Sequence, residues 1–231
     1  MSWSLAAAAL GVGVVHTLLG PDHYLPFIML AKARNWSRTT TVLVTSVCAL
    51  GHVASSILLG GVGIALGLAI GRIEGVESGR GSLAAWALVA FGFAYALWGV
   101  RHALRKHRGI ATHSHGDEVH IHSHGLGPHK HGERTIGSQT TFWTLFIIFV
   151  LGPCEPLIPL FALPASQGQW GVAVLTAAVF AVATLVSMVG AVLVGYEGLR
   201  LFGLGPLERW SHVLAGCVIA AAGLSIIYLG L

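Results

Sequence analysis

Apolar residues fill long blocks of this chain, and short polar stretches separate them. A helix needs roughly 20 mainly apolar residues to cross the hydrocarbon core of a bilayer. On that measure the pattern predicts six spans, at about 3–31, 39–70, 82–104, 141–163, 169–199 and 209–231. The connections "ARNWSRT" and "PASQGQW" are short, and "GRIEGVESGRG" reads as a polar loop. Residues 105–138 form the one long linker. The expected fold class is therefore all-α integral membrane, with a three-helix unit over 1–104, the linker, and a second three-helix unit over 139–231. The opening "MSWSLAAAALGVGVV" has no Lys or Arg ahead of its apolar run, so it reads as the first span rather than a secretory signal.

Composition agrees with this reading. Hydrophobic residues make up 55% of the 231 positions and charged residues 10%, and the mean hydropathy is +0.76. A soluble domain carries about 25% charged residues. The placement of the charges says more than their sum. Eleven Lys and Arg fall on the first, third and fifth connections, and two, Arg72 and Arg80, fall on the other side. The positive-inside rule then predicts both termini outside and the linker in the cytoplasm of an inner or plasma membrane. Cys48, Cys154 and Cys217 are far apart in sequence and form neither a CxxC nor a disulfide framework.

The two halves also resemble each other. At a constant offset of 132, "LGPDHYL" from Leu19 falls on "LGPCEPL" from Leu151. Shared Leu, Val and Ala are cheap in apolar sequence, but a Leu-Gly-Pro triplet at the same place in each half is not. Three spans per unit is an odd number, so the second copy must cross the membrane in the opposite sense. That predicts two inverted repeats, and transporters of this design bind substrate near the midplane where broken helices meet.

Polar residues cluster at the predicted breaks. Pro21 and Pro26 interrupt the first span, while Pro153, Pro156 and Pro159 interrupt its counterpart. Proline removes a backbone donor and clashes with the preceding turn. In a bilayer such breaks are tolerated where they are buried or line a cavity. Asp22 and His23 sit at one break, Cys154 and Glu155 at the other, and the 132 offset aligns them pairwise. His16 lies just before the first break and His52 lies in the second span, four residues after Cys48. A single membrane histidine can serve as a helix–helix hydrogen-bond partner, and a lone cysteine as a small core residue. A carboxylate at membrane depth is costly unless paired, which makes it a functional candidate, a neutral protonated carboxyl or an Asp–His pair locking the two halves being the structural alternative. Three imidazoles, two carboxylates and a thiol suit a divalent transition metal. They do not suit Mg or Ca, which prefer oxygen ligands.

The linker segment "HSHGDEVHIHSHGLGPHKHG" carries His113, His115, His120, His122, His124, His129 and His131. Its composition offers no apolar face to bury, so order is expected only with a ligand. Short His-rich tracts bind metal on composition, and protonation below about pH 6.5 weakens them. A solvated or pH-sensing spacer is the alternative.

"HTLLGPDH" resembles the H-x4-D-H signature of the nickel/cobalt permease families and the related urease-accessory membrane proteins, within the lysine-exporter type superfamily. Here five residues, not four, separate His16 from Asp22. The His-rich linker between two three-span halves is similar to that of nickel/cobalt efflux proteins. This resemblance implies Ni²⁺ or Co²⁺ as substrate, with His16, Asp22 and His23 as ligands. "LGPCEPLIPLF" is in turn similar to the S-P-C-x-L-P-L-I-P stretch of the thiol–disulfide transmembrane family of cytochrome c biogenesis. That family uses one cysteine per half, whereas the matching first-half position here is Asp22.

The sequence thus predicts a proton-coupled secondary transporter of Ni²⁺ or Co²⁺, with export favoured, and not an enzyme. Asp22, His23 and His52 are its expected primary ligands, and His16, Cys154 and Glu155 its secondary ones. The metal is substrate rather than permanent cofactor. No nucleic acid is expected as a partner; the lipid bilayer, a metallochaperone or a second copy of the chain are. The alternatives are a membrane thiol–disulfide protein and an accessory factor that supplies metal to a metalloenzyme.

Overall fold

The computed structural model describes residues 2–107, 113–115, 118–120, 136–201 and 205–229, with side chains for 3–104, 139–201 and 208–229. Helices dominate: α1 (Ser2–Leu19), α2 (Leu25–Ala33), α3 (Arg38–Ala65), α4 (Ile70–His107), α5 (Ile136–Leu151), α6 (Leu157–Ser166), α7 (Trp170–Leu201) and α8 (Ser211–Leu229). Short 3₁₀ turns cover Pro21–His23 and Gly205–Trp210. Within the linker, His113–His115 pairs antiparallel with Glu118–His120. The side chains of His113, His115 and His120 lie outside the described residues, and so do His122, His124, His129 and His131 altogether.

Among the described residues, four helical segments are long and apolar enough to cross a membrane, or five if α1 and α2 count as one bent span. Their outer faces remain apolar: Leu43 and Leu50 on α3, and Val182, Val186 and Val194 on α7, are all exposed. Surface of that kind fits a multi-pass membrane protein, because water would not tolerate so much of it. The predicted fourth span is two shorter pieces, α5 and α6, parted by the 152–156 break.

The third span also starts earlier than predicted. "GRIEGVESGRG" is helix, and α4 runs for 38 residues, ~57 Å at 1.5 Å per residue. Ile73, Glu77, Ala84 and Leu88 form its buried stripe at helical spacing. The four glycines within 71–81 suggest a loop, but one of them is needed for packing. A Cβ at Gly81 would meet Pro153 Cγ at 2.6 Å, so glycine lets α4 touch the second break. Arg80 is accordingly an interior residue rather than a loop charge.

The two breaks are built alike. Gly20 N–H donates to His16 O at 3.1 Å, and Gly152 N–H donates to Ile148 O at 2.9 Å. After them α2 starts at Leu25 and α6 at Leu157, then α3 at Arg38 and α7 at Trp170, each pair 132 residues apart. The turns that follow share a helix-ending motif as well. Asn35 (φ 51°) and Gly168 (φ 75°) adopt left-handed backbone. The next residue then donates back to the last turn: Trp36 to Ala31 O and Gln169 to Pro164 O, both at 2.9 Å. Pro164, inside α6, frees the carbonyl of Leu160, and the Thr176 hydroxyl of α7 donates to it at 3.1 Å.

Helix α1 packs against α7, α5 against α3, and α4 against α8. The α4–α8 pair is antiparallel, since Gly99 faces Val213 while Gly223 faces Ala85. Small residues let these backbones approach closely. A Cβ on Gly216 would run into the backbone of Ala96, and one on Gly92 into Ala220. Gly216→Val is therefore expected to destabilise the fold by about 3 kcal/mol or more. A melting curve in detergent checks this, and an unchanged midpoint would mean that the helices are not so close.

Candidate metal centre

Both breaks open onto one cavity of about 500 Å³. His16 reaches it from the end of α1, Asp22 and His23 from the first break, His52 from α3, and Glu155 from the second break. Ser78 and Ser82 of α4 and Phe149 of α5 complete much of its wall. The lining residues of α4 fall in its first half, and Ile226 and Ile227 lie near the end of α8. Those two helix ends are on the side of the bundle opposite the linker, which leaves α4 at its far end.

The histidines are close together. The His16 and His23 ring centroids are 4.8 Å apart, and those of His23 and His52 are 5.3 Å apart, both edge to face. His16, His52 and Cys154 each offer a ligand atom within 4.8 Å of the others. A tetrahedral ion with bonds of about 2.0–2.3 Å holds its ligands about 3.3–3.8 Å apart. Shifts of about 1 Å would close the set, within ordinary side-chain freedom. Cys154 is fully buried behind the cavity wall, and Glu155 is exposed on it.

Hydrogen bonds fix the ring orientations. His52 Nδ1 lies 3.2 Å from Phe149 O, and His23 Nδ1 lies 3.2 Å from Gly20 O and 3.1 Å from Asp22 Oδ1. Carbonyl oxygens only accept, so Nδ1 carries the proton in both rings. In the neutral imidazoles Nε2 is then a bare lone pair. Among the described residues, Nε2 of His16, His23 and His52 is buried without a hydrogen-bond partner. An orphaned buried acceptor is costly. Metal-binding histidines have this arrangement, one nitrogen donating to a carbonyl or carboxylate and the other free for the ion. Asp22 thus acts on the ring of His23 as well as lining the cavity.

Glycine makes room for these rings. A Cβ at Gly20 would come within 2.5 Å of His23 Nδ1, and one at Gly152 within 3.2 Å of His52 Nδ1. The repeated Leu-Gly-Pro triplet therefore places a histidine ring against each break.

No protein-family model, curated protein or solved structure matches the chain.

Two residues outside the predicted set hold the second break. Glu77 on α4 is fully buried and ion-paired with Arg80. Its Oε2 accepts from Ser56 Oγ at 3.1 Å and from Cys154 N–H at 3.3 Å. Arg80 donates to Ser55 Oγ at 2.8 Å and to Val150 O at 2.6 Å. The backbone groups that the break frees are thus satisfied by an ion pair, as hydrocarbon requires. The sequence signal was present in the i, i+3 spacing of Glu77 and Arg80 and in the stripe through Ile73 and Ala84. The predicted loop hid it.

Cys48 belongs to a different cluster, with Phe27, Leu88 and Met188, and Cys217 is exposed. Sharing a helix with His52 does not bring Cys48 into the apolar cluster that holds Cys154.

Proposed function

We propose that this protein is a secondary transporter of a divalent transition metal, with Ni²⁺ or Co²⁺ the favoured substrates. One observation carries the reading: three neighbouring imidazoles have buried Nε2 atoms without a hydrogen-bond partner among the described residues, two of those rings, His16 and His52, lie beside the Cys154 thiol, and carbonyl oxygens hold His23 and His52 in the ligating tautomer. A nitrogen-rich set with one sulfur selects the later first-row ions over Mg²⁺ and Ca²⁺. The resemblance of "HTLLGPDH" to nickel/cobalt permeases narrows the choice to nickel and cobalt.

The paired breaks, the 132-residue spacing of the element starts and the exchange-related packing of α1 on α7 and α5 on α3 support two inverted repeats. On that reading the bundle has six spans, with α1–α2 and α5–α6 each forming one broken span. The two halves rock about a midplane site, as inverted-repeat transporters do. The positive-inside bias puts the linker in the cytoplasm, which makes the cavity open to the outside. Cations meet Asp22, Glu155 and the imidazoles there, and metal binding displaces protons from any protonated ligand. That links flux to the proton gradient. The linker histidines would gather cytoplasmic metal for export. A thiol–disulfide role needs a second sulfur near Cys154, and among the described residues the apolar cluster around Cys154 contains none.

Purified protein in liposomes loaded with a metal-sensitive dye tests the proposal. Ni²⁺ and Co²⁺ are expected to cross in a pH-gradient-dependent way, and Mg²⁺ and Ca²⁺ are not. Deleting 112–132 is expected to raise the half-saturating metal concentration on the linker side while leaving the maximal rate within about 2-fold, since dispersed weak ligands supply capture rather than passage. No flux of any of Ni²⁺, Co²⁺, Zn²⁺, Cu²⁺ or Mn²⁺ by the protein alone would favour the accessory-factor alternative.

A further inference from the structure

A second cavity lies at the other end of the bundle and has different chemistry. It holds about 380 Å³ between the end of α2, the start of α3 and the end of α7. Lys32, Arg38 and Arg200 bring three cationic side chains to its wall, beside Asn35, Trp36 and Tyr196. No acidic side chain lines it among the described residues. Glu197 reaches Arg200 at 3.8 Å, but both are well exposed, so this pairing is weak.

The walls are fixed before any ligand binds. Tyr196 donates to Trp36 O at 3.0 Å, tying α7 to the α2–α3 turn. That turn is held by the Trp36 N–H bond to Ala31 O at 2.9 Å and by Ser37, whose side chain caps α3 through Thr40 N–H at 3.1 Å. Three like charges around one preformed hollow repel each other and attract an anion. Arginine's planar fork matches phosphate oxygens, and lysine adds a point charge.

We propose that this cavity binds a phosphate oxyanion through Lys32, Arg38 and Arg200, and that an anionic phospholipid headgroup supplies it. The cavity sits at the ends of apolar helices, where a bilayer surface would be. Trp36 and Tyr196 have the amphipathic rings that settle at that depth. Basic pockets between helices at such an edge take acidic headgroups. The bound anion bridges the first half, through α2 and α3, to the second half, through α7. It therefore holds the linker-side end of the bundle closed. This site is independent of the metal reading, because no histidine or thiol takes part.

The test uses the full-length protein without metal. Thermal melts and native mass spectrometry are run in phosphatidylcholine, with and without phosphatidylglycerol, and in phosphatidylcholine with added inorganic phosphate. The wild type is expected to retain phosphatidylglycerol and to melt higher with it. The combined variant Lys32→Gln/Arg38→Gln/Arg200→Gln is expected to bind it about 10-fold or more weakly and to lose the gain in melting temperature. Melting of that variant in phosphatidylcholine alone, at or above the wild-type midpoint, shows that it folds. An equal gain in wild type and variant would overturn the site. An equal gain from inorganic phosphate and from lipid would overturn the lipid as its source.

Discussion

His52→Asn is expected to abolish metal flux, with the initial rate down about 100-fold or more, while the protein keeps its fold. The asparagine amide nitrogen can stand near the position of Nδ1 and still donate to Phe149 O, which His52 Nδ1 meets at 3.2 Å. The change removes Nε2, the atom that is buried without a partner in this cavity. Loss of a group that merely orients a metal ligand typically costs 10–100-fold in affinity or activity, so loss of the ligand itself should cost at least the upper end. His23→Asn is expected to act in the same direction, since the lost atom has the same standing. Cys154→Ser should be milder. A serine hydroxyl retains a weaker donor atom, and His16, His23 and His52 remain. Dye-based flux measurements check the rates and a melting curve checks the fold. Wild-type flux in the His52→Asn protein would remove the histidine cluster from the transport path.

Glu77→Ala is expected to lower stability by about 3–5 kcal/mol, because it leaves the Arg80 guanidinium without its buried partner. The same change strips the acceptor from Ser56 Oγ and one of two from Cys154 N–H, which keeps Ser56 Oγ at 3.2 Å. The second break then keeps only the Arg80–Val150 O bond and the Gly81–Pro153 contact to α4, and Cys154 is held less firmly opposite His16 and His52. Metal affinity should fall with stability, although Glu77 contributes no ligand atom. Removing both charges in Glu77→Leu/Arg80→Met should be less destabilising than Glu77→Ala alone, since no uncompensated charge stays buried. Melting curves on the three proteins decide this. A double variant less stable than Glu77→Ala would mean that the pair acts through each partner's separate hydrogen bonds to the backbone.

Much of the candidate site can be read in the sequence because membrane helices leave few polar residues to choose from. His16, Asp22, His23, His52 and Glu155 stand out as polar side chains in apolar blocks, and all five line one cavity. Pro21, Pro153 and Pro156 mark where the helices break, since the missing donor acts locally, whereas Pro26, Pro159 and Pro164 are carried inside α2 and α6. The 132-residue offset follows from the Leu-Gly-Pro triplets and reappears in the starts of α2 and α6. The start of α4 is harder to read. Glycines at 71, 75, 79 and 81 look like a loop, and only contact with Pro153 explains why one of them sits in a helix. Glu77 and Arg80 look like surface charges for the same reason.

The division follows from the range of the forces. The sequence alone determines the apolar blocks, the breaks and the inventory of imidazole, carboxylate and thiol groups, because hydrophobic period and proline sterics act over a few residues. Which nitrogen of His23 and His52 holds the proton depends on where Gly20 O and Phe149 O lie. Whether Glu77 is buried depends on Ser56, Arg80 and the backbone of Cys154 meeting it across three elements. Those are contacts between residues up to 97 positions apart, and only the packed bundle sets them.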